Sequence, residues 1–116
     1  LCAREALGVI PYFALASGFL NGKYRTTADL GKSPRGARMG AMLDARGLRI
    51  LAALDLVSRT HATTPACVAI AWLIARGVTA PIASATNVTQ LREILSGATL
   101  ELTTEEVAAL NHASAN

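Results

Sequence analysis

Charge is scarce in this sequence: Asp, Glu, Lys and Arg make up only 16% of its 116 residues, against 52% hydrophobic. That excludes a chain kept disordered by high charge and low hydrophobicity. It also predicts faces that need covering from outside the chain, because a small solitary domain usually carries more charge. Long hydrophobic runs are missing too. No stretch approaches the roughly 20 apolar residues of a membrane-spanning helix, and Arg4 followed by Glu5 does not open a signal peptide. A cytoplasmic protein with no membrane partner is expected. Cysteine is rare, and Cys2 and Cys67 fit no metal spacing. Cys67 falls on an apolar helix face, where a small buried thiol is expected. Leu1, not Met, stands first, which reads as a cut end. A chain this long has room for one domain, 1–116, with a modest core.

Catalytic constellations are equally absent. There is no Ser/His/acid set with plausible strand-end placement, no Cys with a partner base, and no pair of carboxylates for acid–base work. Glu105 and Glu106 belong to a helix start, where the positive end of the dipole accounts for them. Gly18-Phe19-Leu20-Asn21-Gly22-Lys23-Tyr24 fails as a nucleoside-triphosphatase loop. That loop needs four residues between its glycines and a Ser or Thr after the lysine to bind magnesium, whereas here three intervene and Tyr24 follows. What survives is a pair of glycines that let backbone approach a ligand and a lysine able to meet phosphate.

What is present is organised in short elements. Residues 8–15 read as a buried strand, weakened by Pro11, and residues 78–83 as a second one that carries Pro81. Between them, residues 16–46 show no sustained period, a length of loop that is usually functional or mobile. Lys23, Arg25, Lys32, Arg35, Arg38, Arg46 and Arg49 crowd this part of a chain of net charge +3. They fit either a phosphate-bearing ligand or a solvated basic loop, and without interleaved aromatics beyond Tyr24 no nucleic-acid partner is expected. From Gly47 to His61 the pattern is helical, with Ile50, Leu54, Val57 and His61 on one stripe and His61 placed to cap the helix end. Thr64-Pro65 opens a second helix with Val68, Trp72 and Ala75 inward and Gly77 as its stop. Asn87 begins a third through Ser96, with Leu91 and Leu95 inward. A fourth starts at Thr103, with Glu106 completing a capping box and Leu102 and Val107 forming a staple, and the tail from His112 to Asn116 carries no signal. Two strands separated by helices predict a parallel α/β pairing whose edges stay open.

The run from Val9 to Arg25 resembles the seventh strand and following loop of aldo-keto reductases, where a Tyr-Ser-Pro-Leu stretch leads into Gly-x-Leu-Thr-Gly-Lys. Thr64 to Leu73 is similar to a helix of that family, and Ile82 to Glu93 to its eighth strand and the cofactor-binding turn after it. The resemblance covers almost the whole chain in the family's order. It implies the last two strands and helices of a (β/α)8 TIM barrel, a C-terminal portion with the cofactor loop at 16–46. It further implies an enzyme that reduces aldehydes or ketones with NADPH, NADH being possible.

In that resemblance Tyr12 matches the aromatic that stacks on nicotinamide, and Phe13 and Leu15 the stretch whose backbone reaches the pyrophosphate. Ser17, Gly18 and Lys23 match the loop over the dinucleotide, and Ser84, Thr86, Gln90 and Glu93 the positions that hold the adenosine and its 2′-phosphate. Two plainer readings stay open: Tyr12 as a core aromatic, and Gln90 as a partner of Asn87 at the helix start. Phe13 stands where serine is usual, Ala14 where proline is common, Thr86 and Gln90 where the phosphate clamp often has Arg or Lys, and Ile94 where asparagine is often found. The family's catalytic Asp, Tyr, Lys and His fall on earlier strands, so no residue here matches them and no reductase activity is expected of the chain alone. The alternatives are a non-catalytic reductase-like binding module and a domain that completes its sheet by self-association.

Overall fold

A computed structural model describes residues 1–34 and 36–115; Arg35 of the basic segment and Asn116 of the tail lie outside the described residues. Among the described residues four α-helices carry the structure: α1 (Ala45–Thr60), α2 (Pro65–Ala75), α3 (Val88–Ser96) and α4 (Thr104–Ser114). Each begins where a side chain accepts from an otherwise orphaned backbone N–H. Asp44 accepts from Gly47 at 2.6 Å, Thr64 from Cys67 at 3.3 Å, Asn87 from Gln90 at 2.9 Å and Thr103 from Glu106 at 3.2 Å. The Glu106 carboxylate in turn accepts from the Thr103 N–H at 2.9 Å, so the expected capping box is complete. Before α1 the described chain forms 3₁₀ turns at Ala16–Gly18, Thr27–Lys32 and Gly36–Met42.

No strand forms among the described residues, which overturns the reading of an α/β chain retaining strands seven and eight of a (β/α)8 barrel. The two expected strands do meet. Thr79 and Ala80 donate to the Val9 carbonyl at 3.0 and 3.4 Å, and Ile82 donates to that of Pro11 at 2.9 Å. The remaining link from this stretch comes from a side chain, the Val9 N–H donating to the Thr79 hydroxyl at 3.0 Å. Pro11 and Pro81 have no N–H to give, and the chain turns away at residues 12–15. A two-segment parallel pairing also has no neighbour on either edge to extend it. The segments therefore remain extended connections.

The core is helical. Leu54 and Val57 of α1, Ala66, Val68, Ala69 and Ile70 of α2 and Leu110 of α4 enclose Ala14 and Leu15 from the first extended segment. A second cluster, Phe19, Tyr24, Met39 and Leu51, fixes the 3₁₀ region on the other side of α1. Val68 is fully buried, as expected, and Trp72 is half-buried with its indole N–H donating to Asn111 at 3.0 Å, but Ala75 is exposed. In α3 the expected inward residues Leu91 and Leu95 are exposed. Among the described residues this helix packs mainly on α2, with Ile94 against the core and Ser96 and Gly97 beside Cys67. Gly97 sets how close the two come: a Cβ there would stand 2.7 Å from the Cys67 carbonyl and 2.8 Å from the Ile70 Cβ. Cys67 itself is buried, its sulfur accepting from the Ser96 hydroxyl at 3.3 Å. Among the described residues no helix is long and apolar enough to cross a membrane.

Candidate functional site

The first extended segment ends in a tight left-handed turn. Ala16, Ser17 and Gly18 follow one another at φ +48°, +54° and +93°, and Gly22 adds a fourth left-handed residue at +73°. Side chains resist this region, so such a succession persists only where the surroundings enforce it. Here Ala14 and Leu15 before the turn and Phe19 after it are all buried. The turn bends the chain around a groove of about 500 Å³. One wall is built from residues 12–15, Ser17, Gly18, Asn21, Lys23 and Tyr24, the other from residues 82–84, Thr86 and Gln90, and Ser33 and Pro34 close one side.

Nine of the ten residues singled out from the sequence line this one groove: Tyr12, Phe13, Leu15, Ser17, Gly18, Lys23, Ser84, Thr86 and Gln90. Glu93 does not; it lies half-buried on α3 and its carbonyl accepts from the Ser96 hydroxyl at 2.8 Å. Tyr12 is 83% exposed, so it is not a core aromatic. Its ring stands 6.3 Å from that of Phe13, tilted by 52°. The two rings form an apolar end with open faces. Gln90 does serve the start of α3, although through Thr86: its side-chain oxygen accepts from the Thr86 N–H at 3.0 Å and from the Thr86 hydroxyl at 2.8 Å.

Lys23 is the single charged side chain among the described lining residues; no carboxylate faces the groove. Its ammonium lies 5.6 Å from the centre of the Tyr24 ring. Tyr24 is buried beneath it, with its hydroxyl 2.6 Å from that of Ser33. Arg25, next in the chain, turns away and forks onto Asp55 of α1 at 2.6 and 2.7 Å while its Nε donates to the Gly22 carbonyl at 3.0 Å. The charged hydrogen bonds to Asp55 hold the Arg25 guanidinium above its already high ordinary pKa. Asp29 gathers the start of the next 3₁₀ turn, accepting from the Arg25 and Thr26 N–H groups at 2.9 Å each and from Lys32 at 2.6 Å. Those donors hold its carboxyl far below the usual carboxylate range, Lys32 contributing most.

Several lining residues carry no signal in the sequence. Asn21, Ser33 and Pro34 belong to the aperiodic loop, and the Tyr24–Ser33 hydrogen bond, with Lys32 donating to the Lys23 carbonyl, ties the last two to the groove. Ile82 and Ala83 read as strand interior but line the site because no strand forms. Arg25 and Asp55 were hidden by their separation in the chain. His61 is the C-cap of α1, as expected, its N–H donating to the Val57 carbonyl at 3.2 Å; its ring is directed to Glu106 of α4 at 2.9 Å, outside the groove lining.

The described lining thus offers an exposed aromatic end, the Lys23 cation, and a wall of hydroxyls and an amide, with backbone bent to allow close approach. Such a lining suits an elongated ligand with a planar group and an anionic centre. Compared with known families, the sequence matches the model of the Aldo/keto reductase family over residues 1–115.

Proposed function

The chain belongs to the aldo/keto reductase family, and from that premise we propose that its groove holds a nicotinamide dinucleotide, NADPH with NADH as the alternative. The reading is that of the cofactor-binding portion of an oxidoreductase acting on aldehydes or ketones. When bound, the dinucleotide supplies the hydride for carbonyl reduction. The chain's own residues bind and orient. Tyr12 presents an open ring face to the nicotinamide, and the backbone of Phe13 to Leu15 with the Ser17–Gly18 turn lets the pyrophosphate approach closely. Lys23 meets its charge, and Ser84, Thr86 and Gln90 offer hydroxyls and an amide to the adenosine end. Glu93 has no part in it. What carries the reading is the convergence of nine residues, from positions 12 to 90, on one groove whose described lining contains a cation and no carboxylate.

The test is a fluorescence titration of the chain with NADPH and NADH. Saturable binding is expected, and Tyr12→Ala and Lys23→Ala should each weaken it by about tenfold, roughly 1.4 kcal/mol. The Lys23→Ala complex should also lose salt dependence, since that variant removes the one charge among the described lining residues. Absence of binding at millimolar dinucleotide refutes the reading. A non-catalytic binding module would use the same groove. Both versions expect no NADPH oxidation when an aldehyde is added to this chain, so turnover would overturn both.

A further inference from the structure

Lys23 lines the groove with its ammonium over the Tyr24 ring. Its carbonyl accepts from Lys32 at 3.5 Å while the Arg25 N–H donates to Asp29 at 2.9 Å, so its neighbours determine where it stands. Gly22 before it is left-handed, and Tyr24 after it is buried. Arg25 then ties the segment together from outside. Its Nη1 and Nη2 fork onto the two oxygens of Asp55 at 2.6 and 2.7 Å, and its Nε returns to the Gly22 carbonyl at 3.0 Å. One planar guanidinium therefore bridges the residue preceding Lys23 to the middle of α1, the longest helix. Such a fork fixes direction as well as distance, which a single point charge does not. Both side chains stay partly exposed, at 38% and 29%, so the pair adds little to stability. Neither residue lines the groove.

We infer that Arg25 and Asp55 form a positioning clamp that holds Lys23 at the groove and thereby sets affinity for the anionic centre of the ligand. This rests on the reading of the groove as a dinucleotide site. Simple electrostatics predicts the opposite effect of removing Asp55. Loss of a nearby negative charge would tighten binding of an anion, whereas loss of the clamp weakens it.

The experiment measures NADPH affinity of the full chain for Asp55→Asn, Arg25→Lys, the exchanged pair Arg25→Asp with Asp55→Arg, and Lys23→Ala alone and combined with Asp55→Asn. Asp55→Asn is expected to weaken binding about tenfold through lost preorganisation. Arg25→Lys, which keeps the charge and loses the fork, should weaken it as well, and the exchanged pair should recover part of the loss. Asp55→Asn should cost nothing further once Lys23 is Ala, because a clamp acts only through the residue it holds. Tighter or unchanged binding in Asp55→Asn, or losses that simply add, overturn the inference. If the unaltered chain binds no NADPH, the functional reading falls and the clamp is decided by ¹⁵N relaxation of residues 21–25 without ligand. These amides should be rigid in the unaltered chain and loosened in Asp55→Asn; equal order in both overturns the clamp.

Discussion

At Gly18 the backbone sits at φ +93°, and a Cβ built there meets nothing within 4 Å. At Gly97 the backbone is ordinary right-handed helix, φ −63°, yet a Cβ would press on the Cys67 carbonyl and Ile70. The same substitution should therefore fail at the two sites for different reasons. Gly18→Ala is expected to cost about 1 kcal/mol from backbone conformation alone. Gly97→Ala is expected to cost about 1–3 kcal/mol by forcing α3 off α2. Asparagine separates the mechanisms, since it tolerates the left-handed region but is larger. In urea denaturation Gly18→Asn should recover most of the loss seen with alanine, while Gly97→Asn should be worse than its alanine counterpart. Equal behaviour of the two residues would show that neither cause is correctly assigned. The sequence marked Gly18 through its place in a glycine-lysine loop. Gly97 carried no signal, because its constraint comes from a helix some thirty residues earlier.

Helix starts were readable because they depend on neighbours within four residues. Asp44 was the one cap not foreseen, and α1 accordingly begins two residues earlier than its hydrophobic stripe suggested. The inward faces were less readable: the leucine spacing in α3 favours Leu91 and Leu95, but packing on α2 and the core selects Ile94 and Gly97. Contacts between helices bring a further consequence. Glu106 closes the α4 capping box and also accepts from His61 at the end of α1, at 2.9 and 3.0 Å. The His61 hydrogen bond, followed by the Thr103 N–H, holds the Glu106 carboxyl below the usual carboxylate range. A carboxyl whose folded value lies below its unfolded value, about 4.3, stabilises fully above that value and loses the contribution as pH falls through the folded one. The melting temperature should therefore drop on the acid side of about pH 4. Glu106→Gln should lower it at neutral pH and flatten that acid limb. A residual limb of the same sign is expected from Asp29, whose carboxyl is also held low. An acid limb of unchanged steepness in Glu106→Gln would remove Glu106 from the explanation.

The whole molecule shows where local reading stops. The expected strands failed as strands because their ladder needs partners that the described residues do not provide, while the groove beside them still assembled. The groove depends on turns and short contacts, namely the left-handed run at residues 16–18, the Tyr24–Ser33 bond and the Thr86–Gln90 bonds. The sheet depends on neighbouring strands. The same deficit leaves apolar surface uncovered: Leu7, Ile10 and Ile82 along the extended segments, and Val88, Leu91 and Leu95 on α3, are all between 47% and 63% exposed. Scattered exposed apolar residues are normal, but this many in elements adjacent in the fold favours association, especially beside extended backbone with free edges. With only 16% charged residues there is little to oppose it. Sedimentation velocity should therefore show concentration-dependent association. Rising salt should strengthen it by screening the net charge of +3. Leu91→Lys with Leu95→Glu should shift the population toward monomer without lowering the melting temperature, since neither leucine is in the core. A chain that stays monomeric at high concentration and salt would mean that the exposed face is soluble as it stands. Association unaffected by the two α3 substitutions would assign the contact to the extended segments around Ile10 and Ile82 instead.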